Sequence, residues 1–372
     1  GVVVPSLFGP DQLRPAHLGR FHTLRLGNAE YLHATALAEA LGIEDGFRFE
    51  AEGPGSLVFL PPLDPDEKPA EPDGDDPFES VVFVSARLIE RKNDEDHIAL
   101  ERTWIANYDA LTDDPKGTIV MIPGMLGTPQ PIIEGMIRYW RRAGYAVVRL
   151  LSHPSRFTER VEVPVTPGNE TEAATLLASI YDQRTAECAY AADAAIRRFH
   201  EARPAMKDKP VVLLGMSGGA MVLPTVFAYA PDNYDAAVLI AGGADFLTIS
   251  ATSNYAEWID AIALDWAPDD PNSTGKPDPD TLETLSDAYL AASRLDAMHT
   301  APLMTVPRLV LHASKDLAVP SQTGDALWQR LGRPERWTYS VGHELIFIML
   351  PTQADRLQKW IDAAIAPPGQ DE

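Results

Sequence analysis

From residue 116 onward, continuous apolar runs alternate with segments of helical spacing. Residues 117–123 (GTIVMIP) are apolar throughout, the pattern of a parallel strand covered on both faces. Residues 131–145 then carry apolar positions at helical spacing, 146–151 (AVVRLL) read as a strand, and 171–200 predict a long Ala-rich helix. The alternation continues with strands at 210–216, 236–243, 307–313 and 336–341. Helices are predicted at 219–229, 324–331 and 345–365. Strands alternating with helices predict right-handed βαβ units and an α/β domain built on a mostly parallel, twisted sheet.

Two stretches depart from this rhythm. Ahead of it, 56–60 (SLVFL) and 80–91 (SVVFVSARLIER) are β-branched and apolar enough for strands. Residues 1–50 read as an N-terminal extension with a short helix near 32–41. Between the two strands, 64–79 carries eight acids, one Lys and four Pro. Proline fixes φ and like charges repel, which predicts an exposed loop; the regular spacing of a calcium loop is missing. The second departure is 246–304, where Tyr255, Trp258, Ile259 and Ile262 follow i, i+3, i+4, i+7. Two helices, about 254–264 and 280–297, are expected there as an inserted cap, or lid, over the strand ends. The expected organisation is an extension with leading edge strands (1–116), an α/β core (117–245 and 305–372) and the cap (246–304).

Composition narrows the partners. Lys and Arg number 31 against 54 Asp and Glu, a net charge of −23. Such a balance argues against nucleic acid and against an anionic membrane surface. No apolar run reaches the ~18 residues of a membrane-spanning helix. The single cysteine, Cys188, excludes an internal disulfide and a Cys-rich zinc site. There is no HExxH, no clustered His/Asp spacing and no Gly-rich phosphate loop, so neither a metal nor a cofactor is expected. The chain starts at Gly1 without Met, which suggests a trimmed N-terminus. Compartment and oligomeric state are left open.

The strongest local motif is Gly215-Met216-Ser217-Gly218-Gly219, between a predicted strand and a predicted helix. A serine on a sharp strand-to-helix turn has strained backbone angles and close neighbours, so small residues are needed two positions either side. The helix start below it supplies free N–H groups and a partial positive charge. A serine needs a base, and the base an orienting carboxylate. His299, His312 and His343 lie downstream of Ser217. His343, in a loop just past the last predicted strand, is the best placed; His312 lies inside a strand. The candidate acid is Asp316, directly after the penultimate strand, with Asp245 as the alternative. Glu344 reads as a first-turn helix acid. Two N–H groups would face a tetrahedral oxyanion: that of Gly218, and that of Met125 in the loop Pro123-Gly124-Met125-Leu126-Gly127, with Leu126 as second choice.

In this order, PGMLG, GMSGG, SKDLAVP and VGH make residues 117–366 resemble an α/β-hydrolase. PGMLG is similar to the oxyanion loop of bacterial lipases, which usually have His-Gly where this chain has Pro123-Gly124. The resemblance implies the α/β-hydrolase fold, a triad of Ser217, Asp316 and His343, and an oxyanion hole at Met125 and Gly218.

The residues around that site are apolar: Leu126, Leu150, Leu151, Met216, Leu317 and Val319, with Trp258 from the cap. They favour a neutral hydrophobic ester. The expected activity is therefore that of a carboxylesterase or lipase-like serine hydrolase working through an acyl-enzyme. Its substrates would be small or polymeric, aliphatic polyesters included. A peptidase or acyltransferase with the same triad is the alternative. A non-catalytic binding protein of this fold would have lost a triad member, whereas all three residue types are present.

Overall fold

The computed structural model describes residues 79–92, 95–125, 130–151, 160–255, 262–267 and 276–366, with short strands at 25–26, 29–30, 48–51 and 56–60. The helix expected near 32–41 and nearly all of the acidic segment 64–79 lie outside the described residues. The strands are β1 Arg25–Leu26, β2 Ala29–Glu30, β3 Arg48–Ala51, β4 Ser56–Leu60, β5 Glu79–Lys92, β6 Glu95–Tyr108, β7 Gly117–Ile122, β8 Tyr145–Leu150, β9 Val161–Val165, β10 Val211–Met216, β11 Ala236–Ile240, β12 Ile262–Trp266, β13 Arg308–Ala313 and β14 Glu335–Tyr339. The α-helices are α1 Gln130–Arg142, α2 Glu170–Ala202, α3 Gly218–Tyr229, α4 Phe246–Thr252, α5 Pro279–Ala292, α6 Ala297–Thr300, α7 Ser321–Arg330, α8 His343–Ile348 and α9 Leu350–Ala364.

Ten strands form one sheet in the order β14-β13-β11-β10-β7-β8-β6-β5-β4-β3. From β14 to β8 all neighbours are parallel. β6 joins β8 antiparallel, and β5, β4 and β3 continue antiparallel at that edge. A strand covered on both faces must be apolar on both, which is why the inner parallel strands β10 and β11 read as unbroken hydrophobic runs. Val120 and Ile122, Leu213 and Leu239 share one core with α2 and α3. Their neighbours Ile119 and Met121, Val212 and Leu214, and Val238 and Ile240 share the other with α1 and α9.

β7 lies between β8 and β10. The chain passes from β7 through α1 to β8, then returns through α2 to β10 on the far side of β7. The segments leaving β7 and β10 therefore head to opposite faces, and a crevice opens between them at the strands' C-terminal ends. Open α/β sheets bind ligands at such a switch point.

Three elements differ from expectation. Residues 262–264, expected at the end of a helix, instead belong to β12, which pairs in parallel with β9 from Ile262 against Val161 to Trp266 against Val165. A two-stranded parallel pairing takes its backbone partners from a distant segment, so local periodicity carries no signal for it. The second helix of the insertion, α5, buries Leu285 and Tyr289 in the core it shares with α2, and Tyr289 meets Tyr181 edge-on at 5.8 Å. This helix is part of the core's flank. The closing helix is broken into α8 and α9, with Pro351 at the start of α9. Proline has no N–H to give the preceding turn.

The flank is tied down by two buried carboxyls. Asp182 of α2 accepts hydrogen bonds from Ser293 Oγ (2.7 Å), Arg294 N (2.7 Å) and Leu295 N (3.0 Å). Asp296 accepts from the amides of Asp245 (2.9 Å), Phe246 (2.8 Å) and Met298 (2.8 Å) and from the Tyr289 hydroxyl (2.9 Å). Burial pushes both carboxyls up, Asp182 to about 6 against donors that pull it down.

A carboxyl whose pKa is raised on folding favours the fold when protonated. Its contribution is present below the ordinary carboxylate range and is lost as pH rises through about 6. Between about pH 4 and 7, wild type should thus lose roughly 3 kcal/mol of unfolding free energy relative to Asp182→Asn. Urea titrations at a series of pH values measure this. Curves that run parallel for the two proteins would remove Asp182 as the titrating group.

Candidate active site

At the end of β10 the chain turns sharply into α3. Ser217 holds φ 52° and ψ −118°, a conformation that costs a non-glycine residue on the order of 1–3 kcal/mol. The turn is held by Ser217 N–H donating to Ile240 O at 2.8 Å and by the amides of Ala220 and Met221 donating to Ser217 O. Glycine is obligatory on either side. A Cβ on Gly215 would sit 2.6 Å from Gly219 O, and one on Gly219 only 2.2 Å from Ile122 O. Ser217 is half-buried at the head of a wholly buried helix. Among the described residues the Gly218 amide, first in that helix, has no hydrogen-bond acceptor.

His343, Asp316 and Ser217 meet at this point. Asp316 is buried in the turn after β13, and its Oδ1 accepts from the amides of Ala318 (3.0 Å) and Val319 (2.8 Å). Its Oδ2 faces His343 Nδ1 at 2.6 Å. A carboxylate can only accept, so Nδ1 carries the proton and Nε2 of the neutral ring presents its lone pair. That lone pair receives the Ser217 hydroxyl at 2.9 Å. The arrangement can draw the Ser217 proton onto His343 while Asp316 steadies the imidazolium that results.

The β7 loop covers the same spot. A Cβ on Gly124 would lie 3.0 Å from Ser217 Cβ and 3.6 Å from Ser217 Oγ. The loop backbone therefore rests directly against the serine, a proximity that only glycine permits. Met125 follows, half-buried against the core. Leu126 lies outside the described residues.

The other candidates separate. Asp245 caps α4: its carboxylate accepts from Thr248 N (3.1 Å), Thr248 Oγ1 (2.5 Å) and Ser286 Oγ (2.6 Å), away from His343. His299 Nε2 bonds Leu290 O at 2.8 Å. His312 is buried in β13, and burial lowers its pKa. Among the expected pocket residues, Leu150 and Met216 are buried within the two cores. Val319 is buried as well, beside Asp316. Leu151 and Leu317 are exposed, Leu317 at 63 %. Trp258 lies outside the described residues.

Two ring contacts on His343 escape a reading of the sequence motifs. Phe347, one helical turn on, meets the imidazole edge-on at 5.1 Å, and Tyr255 does so from another segment at 5.9 Å. The i, i+4 spacing of His343 and Phe347 is a signal that could have revealed the first. Nothing local announces the second.

No protein-family profile matches the sequence, and no curated protein does. Among solved structures the chain is similar to Est1E from Butyrivibrio proteoclasticus, at 13 % identity over 76 % of this chain and 99 % of that one, TM-score 0.48. It is similar to an acylaminoacyl peptidase of Pyrococcus horikoshii, at 12 % identity over 88 % of this chain and 51 % of that one, TM-score 0.49. It therefore spans about half of that peptidase's length. A thermostable carboxyl esterase from Bacillus coagulans matches at 12 % identity over 76 % of this chain and 99 % of that one, TM-score 0.44. The parallel strands from β8 to β14, the antiparallel β6 beside β8 and the strand–turn–helix at Ser217 make this the α/β-hydrolase fold.

The geometry separates the two acids. Asp316→Asn should leave a folded protein whose turnover falls about 10⁴-fold, because an amide at this position favours the wrong imidazole tautomer. Asp245→Asn should instead lower stability and leave most turnover. Steady-state kinetics beside a melting curve distinguishes them, and the opposite ranking would move the acid to Asp245. Gly124→Ala should keep the fold yet cut turnover by roughly 10²-fold, as the loop is pushed off Ser217.

Proposed function

We propose that this chain is a serine hydrolase that cleaves carboxylic esters of hydrophobic acyl groups through Ser217, His343 and Asp316. The observation that carries the reading is the continuous relay from Ser217 Oγ through the imidazole to Asp316, at 2.9 and 2.6 Å, set at the sheet's switch point under the Gly124 backbone. In acylation, Ser217 Oγ bonds to the ester carbonyl carbon as His343 Nε2 takes its proton. The tetrahedral oxyanion is received by the Gly218 amide at the head of α3 and by the Met125 amide. His343 then gives the proton to the departing alcohol oxygen as the C–O bond breaks. Water, deprotonated by the same imidazole, releases the acid and restores Ser217.

The surroundings favour a neutral substrate. Among the described residues, those around His343 besides Ser217 and Asp316 include the rings of Tyr255 and Phe347 and the Glu344 carboxylate. An anionic substrate would meet two carboxylates and a chain of net charge −23. Leu317 beside the acid and Leu345 beside Glu344 are exposed large apolar residues, which suit an acyl chain or an aliphatic polyester better than a charged ligand.

A fluorophosphonate should label Ser217, read by peptide mass spectrometry. Ser217→Ala should lose at least about 10³-fold in turnover, leaving only the contribution of binding and the oxyanion donors. On a panel of esters of increasing acyl length beside matched amides, the longer neutral esters should lead, and EDTA should leave their rates unchanged. Labelling at another residue would sink the assignment of the nucleophile. Amides outrunning esters would make the protein a peptidase.

A further inference from the structure

After α4 the chain does not leave the site. Residues 253–255 run as a strap across the turn that carries Asp316. Ser253 Oγ donates to Ala318 O at 2.7 Å, and Asn254 N–H donates to Leu317 O at 2.9 Å. The Tyr255 amide donates back to Ser253 Oγ at 3.0 Å, which fixes the direction in which Tyr255 departs. These bonds grip the same short turn whose amides, at Ala318 and Val319, hold the Asp316 carboxylate. The strap thus braces the acid from behind.

Its end reaches the imidazole. The Tyr255 ring stands edge-on to His343 at 5.9 Å and 84°, and Phe347 does the same at 5.1 Å and 76°. The Tyr255 hydroxyl donates to Glu344 Oε1, on the residue that follows His343 in α8. A glutamate in the first turn of a helix is ordinary. A glutamate tethered by a tyrosine that also packs on the neighbouring histidine is not needed for that role. We propose that Tyr255 and Glu344 are positioning residues for His343: Tyr255 braces the ring and pins the Glu344 carboxylate, whose charge favours the imidazolium formed when Ser217 gives up its proton.

The electrostatics run in that direction. Glu344 is held below the ordinary glutamate range, first by the Tyr255 hydroxyl and then by its own amide. Tyr255 is pushed up by burial and by Glu344, so it stays a donor. The charged and titratable groups packed around His343 are Asp316 on the turn after β13, Glu344 on α8 and Tyr255 on the strap. Lys315 sits at the base of the turn, where its amide donates to Val341 O at 3.0 Å. His312 lies behind Asp316 on β13, and the Asp325 carboxylate stands 4.0 Å from its Nε2. Asp316 is buried and bound on both oxygens. Glu344, more open to solvent, is the adjustable one.

This inference rests on His343 being the base for Ser217, and the test separates the two. The readout is the second-order rate of fluorophosphonate labelling of Ser217 across pH, which needs no knowledge of the natural substrate. Glu344→Gln should move the acidic limb of that profile to lower pH by at least about half a unit, since an opposite charge near a histidine raises its pKa. Glu344→Asp, which keeps the charge, should stay within about 0.2 unit of wild type on the same argument. Tyr255→Phe, which keeps the ring and loses the hydroxyl, should slow labelling roughly 2- to 10-fold. Raising the salt should lower the limb of wild type further than that of Glu344→Gln, since wild type has one more charge to screen. If Glu344→Gln fails to fold, Tyr255→Phe carries the test, and a labelling rate equal to wild type would overturn the proposal. A Glu344→Gln limb coincident with wild type, or equal displacement in Gln and Asp variants, would overturn the proposal while leaving the base intact. Absence of labelling in wild type, or an unaltered profile in His343→Ala, would instead overturn the base itself.

Discussion

The site depends on how closely two backbones approach at the centre of the sheet. β7 and β10 lie side by side, and the helix after β10 starts so near the end of β7 that Gly219 has no room for a methyl group against Ile122 O. The same proximity brings Gly124 onto Ser217. Packing of this kind cannot relax without moving α3 off the sheet, because Ile122 belongs to the ladder and Gly219 to the first turn of α3. The strained angles of Ser217 persist because the turn is held by the ladder on one side and by α3 on the other, and the strain points the hydroxyl outward.

The rest of the site is assembled by turns that share partners. The turn after β13 is bound from inside by Asp316 and from outside by the strap at Ser253 and Asn254. The turn after β14 delivers His343 as the first residue of α8, so that the ring is anchored on a helix rather than on a free loop. Each bond is individually modest, about 1 kcal/mol net. Together they keep a histidine with two short hydrogen bonds from sampling other rotamers, and this preorganisation matters more for proton transfer than any one contact.

The buried and capping acids differ in what they bind. Asp182 and Asp296 lie in the flank, saturated by amides and hydroxyls, and hold α4, α5 and the turn before α6 to α2. Asp245, a plausible triad member by its place after a strand, is likewise spent on helix α4. Asp316 differs from these in having one oxygen left for an imidazole. The difference lies in which donors surround each carboxylate, not in residue type or in position after a strand.

Much of this was legible in the residues. The inner parallel strands announce themselves because a doubly covered strand is apolar on both faces. Gly215, Ser217 and Gly219 announce the turn because the steric demand on a strand-to-helix reversal is local. Ser217, Asp316 and His343 each follow a parallel strand, so the segments that carry them emerge at one end of the sheet. What local pattern could not supply were relations between distant segments: β9 paired with β12, α5 packed on α2, Leu150 and Met216 turned into the cores, and Tyr255 laid against His343. Those were decided only by tertiary structure, because a side chain's partners across the fold are set by how layers close, and periodicity along the chain reports only which face is apolar.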